Sequence, residues 1–411
     1  MIRAARLESE VDVTTLFDPA RHEALGGAAW DEAVARAAIE RICADAYSAF
    51  DAELGWAAHP LDDPRSADER FHYLYCGSGG VIWALEHLAR AGAAPRRRDF
   101  APFVRGLVEL PRAASGTPRH GRASFLCGES GLLALQWWLK PDAALAARLL
   151  ELVRGNLHNP TLEPLFGSAG TLLAAVFMAE ATGEPAWVEL LREGVRILWD
   201  EMAPCEAAGG AWLWVQDMFG HREALLGAGH GLAGNVYTVL RGAALLDPAV
   251  LGAWMARALQ TLQATALRDG DALNWPPELP PRAKRLVQDC HGASGIVSRL
   301  AGAPREAAWD ALLLGAGELT WRAGPLTKGA SVCHGTAGSA LAMLKLWRRT
   351  GDALWLDRGR ALVMHAIDQV ERHRQQYGMG RYSLWSGDLG VACVLWACII
   401  ASDSFPTLDG V

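Results

Sequence analysis

Seven segments of this 411-residue chain read Gly-x-x-Gly and run on into apolar sequence. They are Gly77-Ser-Gly-Gly80, Gly128-Glu-Ser-Gly131, Gly167-Ser-Ala-Gly170, Gly231-Leu-Ala-Gly234, Gly292-Ala-Ser-Gly295, Gly335-Thr-Ala-Gly338 and Gly387-Asp-Leu-Gly390. One such segment carries no information, but seven at intervals of 39 to 64 residues describe a repeat array. A repeat unit cannot bury its apolar face alone, so the span reads as one closed assembly and not as the two or three domains its length allows.

Each interval has room for two helices and two connections. The runs after the glycine pairs, such as Leu132-Leu-Ala-Leu-Gln-Trp-Trp-Leu139 and Thr171-Leu-Leu-Ala-Ala-Val-Phe-Met178, are rich in Ala and Leu and apolar nearly all round. Between them lie amphipathic stretches with charge on one face, among them Ala143 to Val153 and Arg358 to Val370. No period-2 strand pattern is evident. The expected fold is therefore all-α, with seven buried helices ringed by seven half-exposed ones and every glycine turn at one end, so that flanking residues converge. The segment 1–70 lies outside the repeats and is expected to wrap or cap the assembly formed by 71–411, with Asp269 to Arg285 as a rim loop.

Composition narrows the function classes. A net charge of −7 gives no electrostatic reason to expect nucleic acid or an anionic membrane, and no apolar run reaches the length of a membrane span. Met1-Ile-Arg-Ala-Ala-Arg6 leads into Glu8, Glu10 and Asp12 and not into the apolar core of a signal peptide. Of the eight cysteines, four lie within two residues of a repeat glycine and two in an apolar helix, unlike a secreted disulfide framework, so a cytoplasmic, reduced protein is expected. A closed ring is expected to be monomeric.

Two repeats carry chemistry at the turn: Cys290-His291-Gly292 and Cys333-His334-Gly335. If the turns converge, two thiolates and one or both imidazoles meet, a donor set suited to zinc. Three protein ligands leave a fourth position for water or substrate, the catalytic pattern. Cys76, Cys127, Cys393 and Cys398 read instead as small buried hydrophobes. His230 occupies the same turn position in the fourth repeat without a cysteine, which makes it a candidate acid–base group. Its setting, Gly229-His-Gly-Leu-Ala-Gly234, also matches a dinucleotide fingerprint; Glu223-Ala-Leu-Leu226 before it looks helical, and the repeat already explains its glycines.

The seven turns with their two Cys-His-Gly motifs and the preceding His-Gly turn resemble the lanthionine synthetase C-like family, over about residues 70–400. That resemblance implies a double α/α toroid. It also implies one Zn2+ held by Cys290, Cys333 and His334, with His230 as the catalytic histidine. Glu163, four residues before Gly167, and Lys328, five before Cys333, look more like the branch that handles glutathione than like dedicated peptide cyclases. Asp289 stands where the family has an aromatic residue, His291 fills a position that varies, and Arg381 is only near the place of a family arginine. The implied reaction is zinc-dependent addition of a thiol, glutathione or a peptide cysteine, to dehydroalanine or dehydrobutyrine, giving a thioether. In it His230 donates a proton while Glu163 and Lys328 position or stabilise. Alternatives are a cyclase working with a separate dehydratase, or a zinc-bearing protein that binds glutathione or peptide without turnover. An α/α-toroid glycosidase or terpene cyclase is disfavoured, since no paired carboxylates or aspartate-rich helix is present.

Overall fold

The computed structural model describes residues 15–66, 68–109, 121–282 and 284–410. The start of the expected capping segment, including Glu8, Glu10 and Asp12, lies outside them. Among the described residues there are fourteen α-helices. Seven begin on the residue after the first glycine of a repeat: α2 (Ser78–Arg90), α4 (Glu129–Leu139), α6 (Ser168–Thr182), α8 (Leu232–Arg241), α10 (Ala293–Leu300), α12 (Thr336–Thr350) and α14 (Asp388–Ile399). Each packs on the next and α14 returns to α2, which closes an inner ring. Helices α3 (Ala101–Glu109), α5 (Ala143–Gly155), α7 (Pro185–Asp200), α9 (Pro248–Thr265), α11 (Ala307–Ala323) and α13 (Ala353–Tyr377) lie outside it, and α1 (Glu32–Ser48) packs on α14 and α13. The chain is an all-α, α/α toroid.

The two rings start their helices differently. Four of the helices outside the inner ring, α1, α5, α9 and α13, begin toward solvent and are capped by aspartates, Asp31, Asp142, Asp247 and Asp352, whose side chains accept the unpaired N–H groups of the first turn. Inner helices begin in a crowded turn with glycine as N-cap and no side-chain cap. The second glycine of every repeat faces the carbonyl oxygen six residues back. A Cβ there would lie 1.8 to 2.3 Å from that oxygen, from Asp289 O at Gly295 to Ala228 O at Gly234. The motif is thus a contact requirement that no other residue type meets.

The turns are stitched together two residues before each first glycine. Backbone N–H groups donate from Tyr75 to Leu126 (2.8 Å), Trp385 to Tyr75 (3.1 Å), Cys333 to Trp385 (2.9 Å), Cys290 to Cys333 (3.2 Å) and Gly229 to Cys290 (2.9 Å). These five bonds run around the barrel mouth. At the opposite end the residues after α14 form a floor: Asp409 Oδ1 accepts from Lys345 Nζ (2.7 Å) and Tyr237 OH (3.0 Å), and Trp385 Nε1 donates to Thr407 Oγ1 (3.1 Å). The first and last elements meet at a seam, where Tyr382 OH donates to Asp45 Oδ2 (2.9 Å) and Arg41 pairs with Glu371 (2.8 Å).

Among the described residues, seven short strands interrupt the helices, contrary to the sequence reading. Antiparallel hairpins pair β1 (Ala203–Cys205) with β2 (Ala211–Leu213), β3 (Gln216–Met218) with β4 (His221–Leu225), and β5 (Leu267–Asp269) with β6 (Ala272–Asn274); β7 (Glu278–Leu279) adds to β4. Runs of two to five residues are too short for alternation to register. Glu223-Ala-Leu, expected as helix, is strand β4, so a strand does precede the glycine string at 229–234. Its partners are antiparallel, and no βαβ unit surrounds it.

Candidate active site and metal centre

The stitching that closes the barrel mouth also brings Cys290 and Cys333 together, since each sits at the stitched position of its repeat. Among the described residues, the donor atoms of Cys290, Cys333 and His334 lie within 4.8 Å of one another. Cys333 Sγ is 3.7 Å from His334 Nε2. Zn–S bonds of about 2.3 Å and Zn–N bonds of about 2.0 Å give tetrahedral edges of roughly 3.5 Å, so the cluster fits a zinc ion with little movement. Both sulphurs are buried, and all eight cysteines are free thiols. The hydrogen bond between the two sulphurs draws the Cys290 thiol well below its ordinary range and pushes Cys333 up.

Two further side chains address the sulphurs, and sequence reasoning missed both. Gln288 Nε2 donates to Cys290 Sγ at 2.9 Å. The Tyr75 hydroxyl bonds to Cys333, and burial with that neighbouring sulphur holds the phenol well above its ordinary range. Tyr75 occupies the stitched position of the first repeat, in register with both cysteines, so the repeat alignment held the signal. Asp289, which stands where the family has an aromatic residue, is engaged away from the sulphurs. Its carboxylate pairs with the buried Arg299 (2.7 and 3.0 Å) and accepts from Ser298 Oγ (2.7 Å).

The stitching fails at the third repeat, and the reason is Glu163. Leu165 N–H, which would continue the ring, donates instead to Glu163 Oε2 (2.8 Å), while Leu165 O accepts from Ser124 Oγ. Glu163 Oε1 accepts from Phe166 N–H and Gly167 N–H, at the start of α6. The carboxylate is fully buried, but its bonds to three backbone donors, near a positive helix end, offset the loss of water. Its Oε2 also meets His230 Nδ1 at 2.9 Å. An ionised carboxylate only accepts, so Nδ1 carries the proton and Nε2 is left for a reactant. Burial lowers the His230 pKa, but the bond to Glu163 and its charge outweigh this, and the net shift is upward from 6.5. The side chain of His230 remains 25% exposed. Its ring lies 5.8 Å from that of His291 and 6.1 Å from that of Phe166.

The remaining candidates are less engaged. His291 has a buried Nδ1 with no partner and is not in the donor cluster. Lys328 is exposed in the loop before Cys333, with no hydrogen bond or ion pair among the described residues. Arg381 donates from Nε to Asp62 (3.1 Å), which ties the loop before α14 to the segment after α1. No described helix is long and apolar enough to cross a membrane.

The chain is similar to several known proteins. A family model described as "Lanthionine synthetase C-like protein" matches residues 57–409. The LanC-like protein GCL1 of Arabidopsis thaliana is 31% identical, covering 81% of this chain and 83% of its own length. The Glutathione S-transferase LANCL1 of Danio rerio is 25% identical, covering 70% and 73%. Among solved structures, nisin cyclase superposes with a TM-score of 0.59 at 14% identity, covering 90% of this chain and 98% of its own, a likeness of fold. The match over most of the chain establishes it as a member of the lanthionine synthetase C-like family.

Proposed function

We propose that this protein catalyses zinc-dependent addition of a thiol, glutathione in the first instance, to a dehydroalanine or dehydrobutyrine residue, giving a thioether. The observation that carries the reading is the adjacency of two kinds of site on one barrel mouth: a Cys2His donor set with buried cysteines and a half-buried histidine, and a second histidine oriented by a carboxylate. Cys290, Cys333 and His334 would hold a zinc ion, which when bound would supply Lewis acidity favouring the thiolate form of a thiol at neutral pH.

The rest belongs to the chain. A new S–C bond forms at the β-carbon as the C=C π pair moves toward the carbonyl. The proton lost by the thiol is balanced by one gained at the α-carbon. His230 holds that second proton on Nε2, and Glu163 fixes the ring through Nδ1 and favours the charged form that can donate. Gln288 and Tyr75 direct hydrogen bonds at the two sulphurs, which orients the donors and moderates their charge. Lys328 stands at the rim, where a cation can attract the carboxylates of glutathione.

Intact mass spectrometry of a dehydroalanine peptide incubated with zinc-loaded protein and glutathione tests the reading, with Cys333→Ala as control. The expected result is an adduct of one glutathione per dehydroalanine that depends on the native protein. An adduct no faster than in the Cys333→Ala mixture would sink it and leave a cyclase with its own peptide, or a binder.

A further inference from the structure

The hairpin of β3 and β4 ends in a two-residue loop, Phe219-Gly220, between the paired residues Met218 and His221. Both loop residues have positive φ, +57° and +96°. That is the signature of a primed hairpin turn, which favours Asn-Gly and penalises a bulky side chain at its first position. Asp217 Oδ1 secures the loop by accepting from Gly220 N–H at 2.7 Å. An aromatic residue in this place works against local stability, and Phe219 is 39% exposed. Strain of this kind collects where a side chain serves function.

Phe219 is joined to the active site. Its ring packs edge-on against Phe166 at 5.2 Å, and Phe166 lies 6.1 Å from the ring of His230. Phe166 is also the residue immediately before Gly167 and gives its N–H to Glu163. An apolar wall therefore runs from the exposed hairpin tip to the candidate proton donor. Glutathione, small and anionic, has little use for such a wall. A peptide does, because the residue beside its dehydroamino acid must lie within a few ångströms of the reacting carbon.

We infer that Phe219, backed by Phe166, is a specificity-determining residue that packs against an apolar side chain flanking the dehydroamino acid of a peptide electrophile. The inference rests on the thiol-addition reading for its choice of electrophile, and its test is separable from that reading. Two fluorescently labelled dehydroalanine peptides, identical except for leucine or serine beside the dehydroalanine, are titrated with zinc-loaded native protein and with Phe219→Asn. Binding is read by anisotropy and stability by thermal melting.

Native protein is expected to bind the leucine peptide about tenfold more tightly than the serine peptide, the usual scale for one apolar contact. Phe219→Asn is expected to bind both equally while melting no lower than the native protein, because asparagine suits the turn. Equal affinities in the native protein, or an equal loss for both peptides in the variant, would overturn the inference. Turnover with glutathione is followed on the same peptides. A binding preference without any adduct would remove the proposed chemistry and leave this recognition surface standing.

Discussion

The barrel mouth has two arcs that treat the same backbone atoms in opposite ways. Around Gly229, Cys290, Cys333, Trp385, Tyr75 and Leu126 each turn donates its N–H to the next, and the candidate metal-donor cysteines lie within this closed arc. At Leu165 the arc is open: the N–H groups of three successive residues, Leu165, Phe166 and Gly167, converge on Glu163, which in turn holds His230. The difference separates two requirements. A donor set needs fixed distances, and backbone bonds between neighbouring turns supply them. A proton donor needs a tuned charge, and the gap in the ring frees backbone groups to stabilise a buried carboxylate beside it.

Cutting the closed arc at a donor has the largest expected effect. Cys333→Ala should reduce zinc content by elemental analysis from about one per chain to near none and abolish adduct formation, while the helical circular dichroism stays native. The open arc is expected to respond in rate and not in metal. His230→Ala should keep its zinc and lose on the order of 10² to 10⁴ in kcat. Retention of the native rate would remove His230 from the mechanism.

Glu163→Gln sharpens the contrast through pH. The native His230 pKa is raised above 6.5, so the proton donor is loaded below that pKa and activity declines as pH rises through it. The variant lacks the charge that raises the pKa but keeps the burial that lowers it. Its declining limb in the kcat–pH profile should move to the acid side, with roughly tenfold lower activity near neutrality. An unmoved limb would mean that Glu163 orients the ring without tuning it. Gln288→Leu, back on the closed arc, should weaken zinc binding about tenfold in a chelator competition while leaving the pH profile in place. Lys328→Ala is expected to do least, raising KM for glutathione about threefold at low salt and less at high salt.

Much of the closed arc was legible in the sequence. The glycine pairs marked the turns because a Cβ there would lie about 2 Å from a carbonyl oxygen, and the same turns carry the helix starts and bring Cys290 and Cys333 together, whereas His334 was singled out by the family resemblance. Tyr75 escaped because its role is addressed to a distant repeat: nothing in Leu74-Tyr75-Cys76 itself points to a sulphur more than 250 residues away. Gln288 escaped although it lies two residues from Cys290, because no motif marks a glutamine there. Glu163 was reached through family resemblance, whereas its physical role, interrupting the ring to collect three N–H groups, depends on the fold. The hairpins were missed because strands of two to five residues owe their pairing to the surrounding scaffold and not to their own patterning.

The seam between α1 and α14 has a consequence for how the molecule is made. Asp45 and Tyr382 touch across 337 positions of sequence. An open array of repeats can start folding at any unit and extend from there, unit by unit. A ring cannot finish that way: its last interface closes a loop as long as nearly the whole chain, the kind of contact that slows folding most. As the chain emerges during synthesis, the early inner helices must wait with one flank uncovered until α14 arrives, and the candidate metal donors, in the turns before α10 and α12, are made late, shortly before that final joint.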